Sequence, residues 1–302
     1  MKFLADENDE NTRLDSFLVS VTNDLSRAKI QSAIKSGGAR VNREIKKPSY
    51  VLKDGDEIEF LIPEVESLKI EPEEIDLEIV YEDENMAVIN KPSGMLTHPT
   101  ASEKSGTLVN ALLYRMKENL SDINGEFRRG IVHRLDKNTS GLLMIAKNNK
   151  AHEYLAGLIR NHDLTKKYRT IVKGVYPNDE EIINLPIGRH PSQPHKMAVV
   201  EGGKESVTRV KVLERFKEAS LLDITLVTGR THQIRVHLSH KGYPVLNDTL
   251  YGAGMAKVKT DEQVLQSYYL KFAKPFCGDI IELEIGPDEK ISKVLKYLEN
   301  KK

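Results

Sequence analysis

The chain has 302 residues, a length that suggests about two domains, and its 39% hydrophobic and 30% charged residues fit a folded protein with a proper core. A single cysteine, Cys277, excludes an internal disulfide and a cysteine-built metal site, and no apolar run approaches the ~18 residues of a membrane span. Forty-five Lys and Arg balance 45 Asp and Glu, which taken whole argues against a nucleic-acid partner.

The charges are nevertheless segregated along the chain. Ser26 to Lys47 holds seven bases and one acid, a net +6; Glu64 to Glu84 holds ten acids and one base, −9; Arg128 to Lys173 holds eleven bases and three acids, +8. Such blocks are either solvated faces or two basic surfaces for a polyanion. The opening residues turn acidic within six positions and lack the apolar stretch of a signal peptide, so a cytoplasmic protein is expected.

Leu14, Phe17, Leu18 and Val21 recur at i, i+3, i+4, i+7 and predict an amphipathic helix. Ser26 can cap a second helix that buries Ile30, Ala33 and Ile34 and stops at Gly37-Gly38. A short strand, ARVN, follows, and the Asp54-Gly55 turn leads into alternating Ile58, Phe60 and Ile62. Residues 1–62 read as a small domain whose exposed side carries Arg27, Lys29, Lys35, Arg40 and Arg43, followed by an acidic, proline-containing linker over 63–76. A larger domain spans 77–302. Leu77, Ile79 and Tyr81 alternate, MAVIN continues as an apolar strand, and helices are predicted around Val109–Met116 and Tyr154–Ile159. Strands recur at LLMIA, YRTIVKGVY, SVTRVKVLERF, SLLDITLVT and IIELEI. Many strands, few helices and no strict βαβ alternation predict the α+β class, with a mixed, largely antiparallel sheet.

Two segments concentrate chemistry. In GIVHRLDKNTSG (130–141) one carboxylate, Asp136, lies among Arg134, Lys137, Thr139 and Ser140. Flanking cations favour an ionised aspartate, which suits a nucleophile better than a general acid; the plainer alternative is an Asx turn with basic neighbours. In VTGRTHQIRVHL (227–238) Gly229 breaks a strand and Thr231 can cap a short helix ending near Gly242 and Pro244. On that helix His232 and Arg235 share one face while Ile234 and Leu238 face inward, and a guanidinium so presented is a good partner for a buried carboxylate. His232, His237 and His240 match no zinc spacing, and His133 has no Ser or Cys nucleophile in an elbow beside it. No phosphate loop or paired-carboxylate nuclease motif is present, so neither metal nor cofactor is expected.

HRLDKNTSG at His133–Gly141 resembles the catalytic motif of the RluA/RluD family of pseudouridine synthases, HRLDxxTSG. NKPSGMLTHP at Asn90–Pro99, KKYRTIVKG at Lys166–Gly174 and TGRTHQIRVHL resemble its other signatures, in the same order, so the resemblance covers residues 77 to about 290. Residues 12–62 resemble the alpha-L RNA-binding domain named after ribosomal protein S-four. Where the family often has LHA, His-Pro and a glycine, this chain has Leu265-Gln266-Ser267, Lys274-Pro275 and Asn247. The resemblance implies isomerisation of uridine to pseudouridine in RNA without a cofactor, with large-subunit (23S) ribosomal RNA as the expected substrate and a monomeric enzyme. It makes Asp136 the nucleophile, Arg235 its ion-pair partner and Tyr168 the residue against the uracil. Arg134 is expected to fill the space the base vacates, with His133, Thr139, Arg230 and His232 as further substrate contacts. The alternatives are a non-catalytic RNA-binding protein of ribosome assembly and a metal-dependent RNA hydrolase. Retention of Asp136, Tyr168 and Arg235 together argues against the first, and the lack of clustered carboxylates against the second.

Overall fold

Leu14, Phe17 and Leu18 place one stripe of helix α1 (Leu14–Val21) in an apolar core, against Ile30, Ala33 and Ile34 of α2 (Arg27–Lys35). Val21, the fourth residue of that periodicity, is exposed instead, because the helix ends there and the chain turns away. A computed structural model describes residues 1–22, 27–61, 69–100, 102–117, 119–252, 258 and 262–300, so Ser26, Ile62, the first part of the expected linker and the side chain of Lys29 lie outside the described residues. The chain divides into two units, Met1–Lys69 and Ile70–Lys302.

In the first unit the two helices pack on an antiparallel sheet of β1 (Lys2–Leu4), β2 (Ala39–Val41), β3 (Glu44–Ile45) and β4 (Glu57–Phe60), in the order β1-β4-β2-β3. Strand β1 is not apparent in the sequence. Asp15 is fully buried at the helix pair, where the hydrogen bond from Arg13, then those from Gln31 and the charge of Arg27, outweigh burial and hold its carboxyl well below the usual range. Arg27 therefore ties α2 to α1, 3.4 Å from Asp15 Oδ2. Lys35, Arg40 and Arg43 are exposed.

The second unit runs β5 (Glu78–Glu82), β6 (Met86–Lys91), α3 (Leu108–Met116), β7 (Ser140–Ala146), α4 (Asn149–Asn161), β8 (Leu164–Lys173) and β9 (Glu180–Asn184). A small hairpin, β10 (Ile187–Arg189) and β11 (Met197–Val199), precedes β12 (Val207–Arg215), β13 (Ala219–Leu226), α5 (Gln233–His240), β14 (Leu265–Ala273), β15 (Ile280–Glu284) and α6 (Glu289–Glu299). Nine strands form one sheet in the order β5-β6-β7-β14-β8-β13-β12-β9, with β15 added to β14. Among the described residues only β7 and β14 pair in parallel, at Ser140–Gly141 and Gln266–Ser267. Beyond Ser267, β14 passes to β15, which pairs it from Tyr269 to Ala273.

Alternation in the strands sorts the core by face. Ala87 and Ile89 of β6 and Leu143 and Ile145 of β7 pack with α3 and α5, whereas Met86, Val88, Leu142 and Met144 pack with Leu155 of α4. Helix α6, for which the sequence reading makes no provision, is capped by Asp288 and buries Ile291, Val294 and Leu298 against Ile171, Phe216 and Ala219. The sheet's centre, where β7, β14, β8 and β13 meet, is what positions the site.

Candidate active site

Asp136 sits on the loop between Ile131 and β7, and that loop is gripped from several sides. Thr97 Oγ1 donates to Leu135 O (2.9 Å), Lys91 Nζ to Lys137 O (3.1 Å), and both Ser93 Oγ and Lys290 Nζ to Asn138 O (2.9 Å). Thr139 N closes the turn on Asp136 O at 3.0 Å, and Gln263 Nε2 donates to the Thr139 hydroxyl at 2.8 Å. Lys91 is fully buried; its ammonium also donates to Pro92 O and Met95 O, and burial, then the nearby Lys290, pushes its pKa down to about 7. The NKPSGMLTHP segment is thus the clamp that holds the aspartate's loop, a role its sequence does not disclose.

Gly141 follows this loop at φ +111°, and a Cβ there would stand 2.0 Å from Ser267 O. Only glycine lets β7 close on β14 at this point.

Arg235 comes from the first turn of α5. Thr231 does not cap this helix. The residue before it, His232, is left-handed (φ +57°), and the buried Gln233 side chain organises the turn instead, accepting from Arg230 N (3.0 Å) and Thr228 Oγ1 (2.8 Å) and donating to Val207 O and Thr208 Oγ1. The Arg235 guanidinium bridges two carboxylates. Nε and Nη2 grip Asp248 Oδ2 and Oδ1 at 2.7 and 2.9 Å, while Nη1 donates to Asp136 Oδ2 at 2.9 Å. Asp248 is buried and accepts further from Leu250 N and Tyr251 N. Burial raises its pKa, but the Arg235 hydrogen bonds and charge more than offset this and keep it low. Asp248 is a member of the site that sequence reasoning missed. The signal lay in Asn247-Asp248, where Asn247 takes the left-handed φ of +59° that asparagine tolerates and turns the following aspartate inward.

His232 Nε2 lies 3.8 Å from Asp136 Oδ2, and its Nδ1 is 2.7 Å from Tyr251 OH. Tyr251 accepts from Met197 N at 2.7 Å, which leaves its own proton for His232 Nδ1 and puts the imidazole proton on Nε2, towards Asp136. Burial lowers the His232 pKa and favours this neutral form. Lys137, expected among the cations around Asp136, turns away to Glu103 (2.8 Å), because Arg235 supplies the counter-charge from a distant helix.

Asp136, Tyr168, Arg235 and His232 line one cleft of about 270 Å³, with His133, Arg134, Thr139, Lys166, Leu226, Arg230 and Leu265 also in its wall. Tyr168, on β8 between Ile224 of β13 and Ser267 of β14, is buried. Burial raises its phenol pKa far above the usual value, and the charge of Asp136 adds to this, so it is neutral. Arg134 and Arg230 are exposed, and Arg230 Nε donates to Glu205 O. His133 and Thr139 each have a polar atom engaged within the protein rather than free for substrate: His133 Nε2 accepts from Met144 N at 2.9 Å, and the Thr139 hydroxyl accepts from Gln263. Among the described residues no three His, Cys, Asp or Glu side chains cluster as metal ligands would, and His237 is held between Thr208 Oγ1 and Leu185 O.

The RNA pseudouridylate synthase family model matches residues 85–240, and the S4 domain model matches residues 12–58. The chain is 41% identical to the uncharacterized RNA pseudouridine synthase YlyB of Bacillus subtilis, over 97% of this chain and 96% of the relative. It is 38% identical to the ribosomal large subunit pseudouridine synthase D of Zymomonas mobilis, over 95% and 93%. Among solved structures, human RNA pseudouridylate synthase domain containing 1 superposes with a TM-score of 0.59 at 25% identity, covering 74% of this chain and 95% of that one. A catalytic-domain match over more than half the chain, near-full-length relatives and an S4 domain match over residues 12–58 together make this chain a member of the RNA pseudouridine synthase family, an isomerase of uridine in RNA.

Proposed function

We propose that the enzyme converts specific uridines of large-subunit ribosomal RNA to pseudouridine, with Asp136 as nucleophile. The observation that carries this reading is the Asp136–Arg235 pair at 2.9 Å, set beside Tyr168 in a cleft sized for one base. The choice of ribosomal RNA rests on similarity to relatives such as the Zymomonas mobilis enzyme. Arg235 holds the carboxylate ionised and aimed. Tyr168 lies against the uracil face, and a neutral phenol can pass a proton at C5 as well as stack.

A base inside a duplex cannot reach this cleft, so the target nucleotide must be flipped out. Arg134, exposed at the rim next but one to Asp136, fills the vacated space; Arg230 and His232 meet the backbone beside it, and His133 and Thr139 shape the wall. Lys29, Lys35, Arg40 and Arg43 of the first unit add phosphate contacts, with Arg27 partly committed to Asp15. Uridine and pseudouridine are isomers, so the reaction needs no net redox change or hydrolysis. We propose a monomeric enzyme, and no helix among the described residues is long and apolar enough to cross a membrane. We place the enzyme in the cytoplasm.

The test is a pseudouridine map of ribosomal RNA from a strain lacking the gene, complemented with wild type or Asp136→Asn. Wild type restores the missing sites. Asp136→Asn restores none, yet binds RNA at least as tightly, because a repulsion with phosphate is gone. Turnover by Asp136→Asn above about 1% of wild type, where loss of the nucleophile should cost several orders of magnitude, sinks the assignment.

A further inference from the structure

Lys166 stands two residues before Tyr168 on β8, so the two side chains leave the same face of the strand, and both line the cleft. It is only 8% exposed. The other two buried cations of this unit are fully engaged, Lys91 by three carbonyls and Arg235 by two carboxylates. Among the described residues the Lys166 ammonium has no hydrogen-bond or ion-pair partner. It lies beside the Gly229 turn, 3.7 Å from where a Cβ on that residue would stand. Burial alone pulls its pKa below the ordinary lysine value. A largely buried cation given no protein partner is costly, and a catalytic cleft is where that cost is met by a ligand.

We propose that Lys166 is a catalytic residue whose ammonium binds a carbonyl oxygen of the flipped uracil and stabilises the negative charge that reaches the base during isomerisation. This rests on the reading of the cleft as the uridine site. The exposed cations Arg134 and Arg230 suit phosphates, because the polymer must remain at the rim. Lys166 is buried in the wall that carries Tyr168, on the side of the cleft that suits the flipped base.

The chemistry requires such a group whichever way Asp136 acts. If the carboxylate attacks C1′, the C1′–N1 bonding pair leaves with the base, giving a ribosyl ester and a uracil anion whose charge is shared by N1, O2 and O4. If it adds to C6, the C5=C6 pair shifts to form C4=C5, the C4=O π pair moves onto oxygen, and O4 becomes an enolate. If a proton is first lost from C2′, elimination also expels the uracil anion. On the ester route, C5 then bonds to C1′, the carboxylate departs with its electron pair, and the C5 proton is released while N1 gains one from solvent. The ammonium keeps its protons throughout and acts as a fixed charge, the arrangement that is worth most in a water-poor site.

The experiment uses the full chain and total RNA, labelled with tritium at uridine C5, from a strain lacking this gene. Wild-type release is the control for the isomerase reading, and the Lys166 variants test this one. Lys166→Met lowers kcat about 100-fold, the usual loss for removing one charge-stabilising donor, and leaves KM within about 2-fold, while Lys166→Arg retains part of the rate. A raised KM with kcat unchanged would make Lys166 a phosphate ligand and overturns the proposal, as does an unchanged kcat. Thermal melting checks each variant, and Lys166→Gln replaces Lys166→Met if the latter does not fold. The second measurement uses RNA carrying 2-thiouridine or 4-thiouridine, whose sulfur is a poor acceptor. One of the two slows wild type but not the charge-less variant; equal slowing of both proteins by each analogue, or of neither, overturns the proposal.

Discussion

A guanidinium shared between two carboxylates is an asymmetric object here, and the asymmetry separates structure from chemistry. Asp248 is fully buried and holds two of the three nitrogens of Arg235, while Asp136 is partly open and takes the third. Asp248→Asn should therefore cost about 3 kcal/mol of stability, the usual consequence of stripping one partner from a buried ion pair. It should also lower kcat, because Arg235 is no longer fixed towards Asp136. Asp136→Asn should lose all turnover with little change in melting. Denaturant unfolding and tritium release on the two variants check this; equal stability losses would show that the pair is structural at both ends. His133 offers a pH test. Burial, helped by Lys166, brings its pKa down from 6.5 to about 3, and its Nε2 must stay unprotonated to accept from Met144 N. As pH falls below 6.5 the unfolded chain takes up a proton that the folded chain refuses until about 3, so this group's contribution to stability is present above 6.5 and is lost on acidification. Between pH 6.5 and 4.5 the loss should be on the order of 1–2 kcal/mol, and His133→Gln, which can still accept the hydrogen bond, should flatten the pH dependence of Tm. An unchanged slope in that variant counts against the assignment.

At the scale of elements, legibility in the sequence depends on whether a segment has one wet face. Helix α1 and strands β4 and β12 carry their period plainly because one side meets a core and the other meets solvent. Strand β14 does not. It is inserted between β7, β15 and β8 and is buried almost throughout, so LQSYYLKFA has no alternation to read. The parallel β7–β14 contact is equally hidden, since pairing is a property of two distant segments. Helix α6 is obscured for a different reason: Ile291, Val294 and Leu298 keep helical spacing, but they sit among lysines beyond the last strand. The β7–β14 junction supplies a prediction. Gly141→Ala combines a φ of +111° with a Cβ 2.0 Å from Ser267 O, in backbone that has nowhere to go. It should cost about 3 kcal/mol or more and displace the Asp136 loop, so both soluble yield and turnover fall. A variant that melts and reacts like wild type would show that the two strands can separate here without consequence.

For the whole molecule, the two units have separate cores, and the +6 block lies wholly within the first. Deleting residues 1–69 should leave a folded unit that still isomerises uridine but binds RNA more weakly. For every phosphate that the shortened chain no longer neutralises, the log–log salt dependence of binding should flatten by roughly 0.7–0.9. Affinity measured across a several-fold range of salt for the full chain and the shortened one decides it, and identical slopes would assign the first unit another partner.

The sequence by itself determined the family and its chemistry, and singled out the residues proposed to carry it. Asp136, Tyr168 and Arg235 lie in contiguous motifs whose spacing is set by one loop, one strand and one helix turn. It also determined the helix pair and the basic block of the first domain, since amphipathic periods and charge blocks are local properties. Tertiary structure alone decided how those motifs meet. It brought Asp248 under Arg235 and made the NKPSG segment a clamp on the Asp136 loop. It sent Lys137 to Glu103 and left Lys166 as a buried charge in the cleft. Those outcomes depend on burial and on pairings such as Arg235 with Asp136, 99 positions apart, where the cost of an unpaired charge is set by what the fold places beside it.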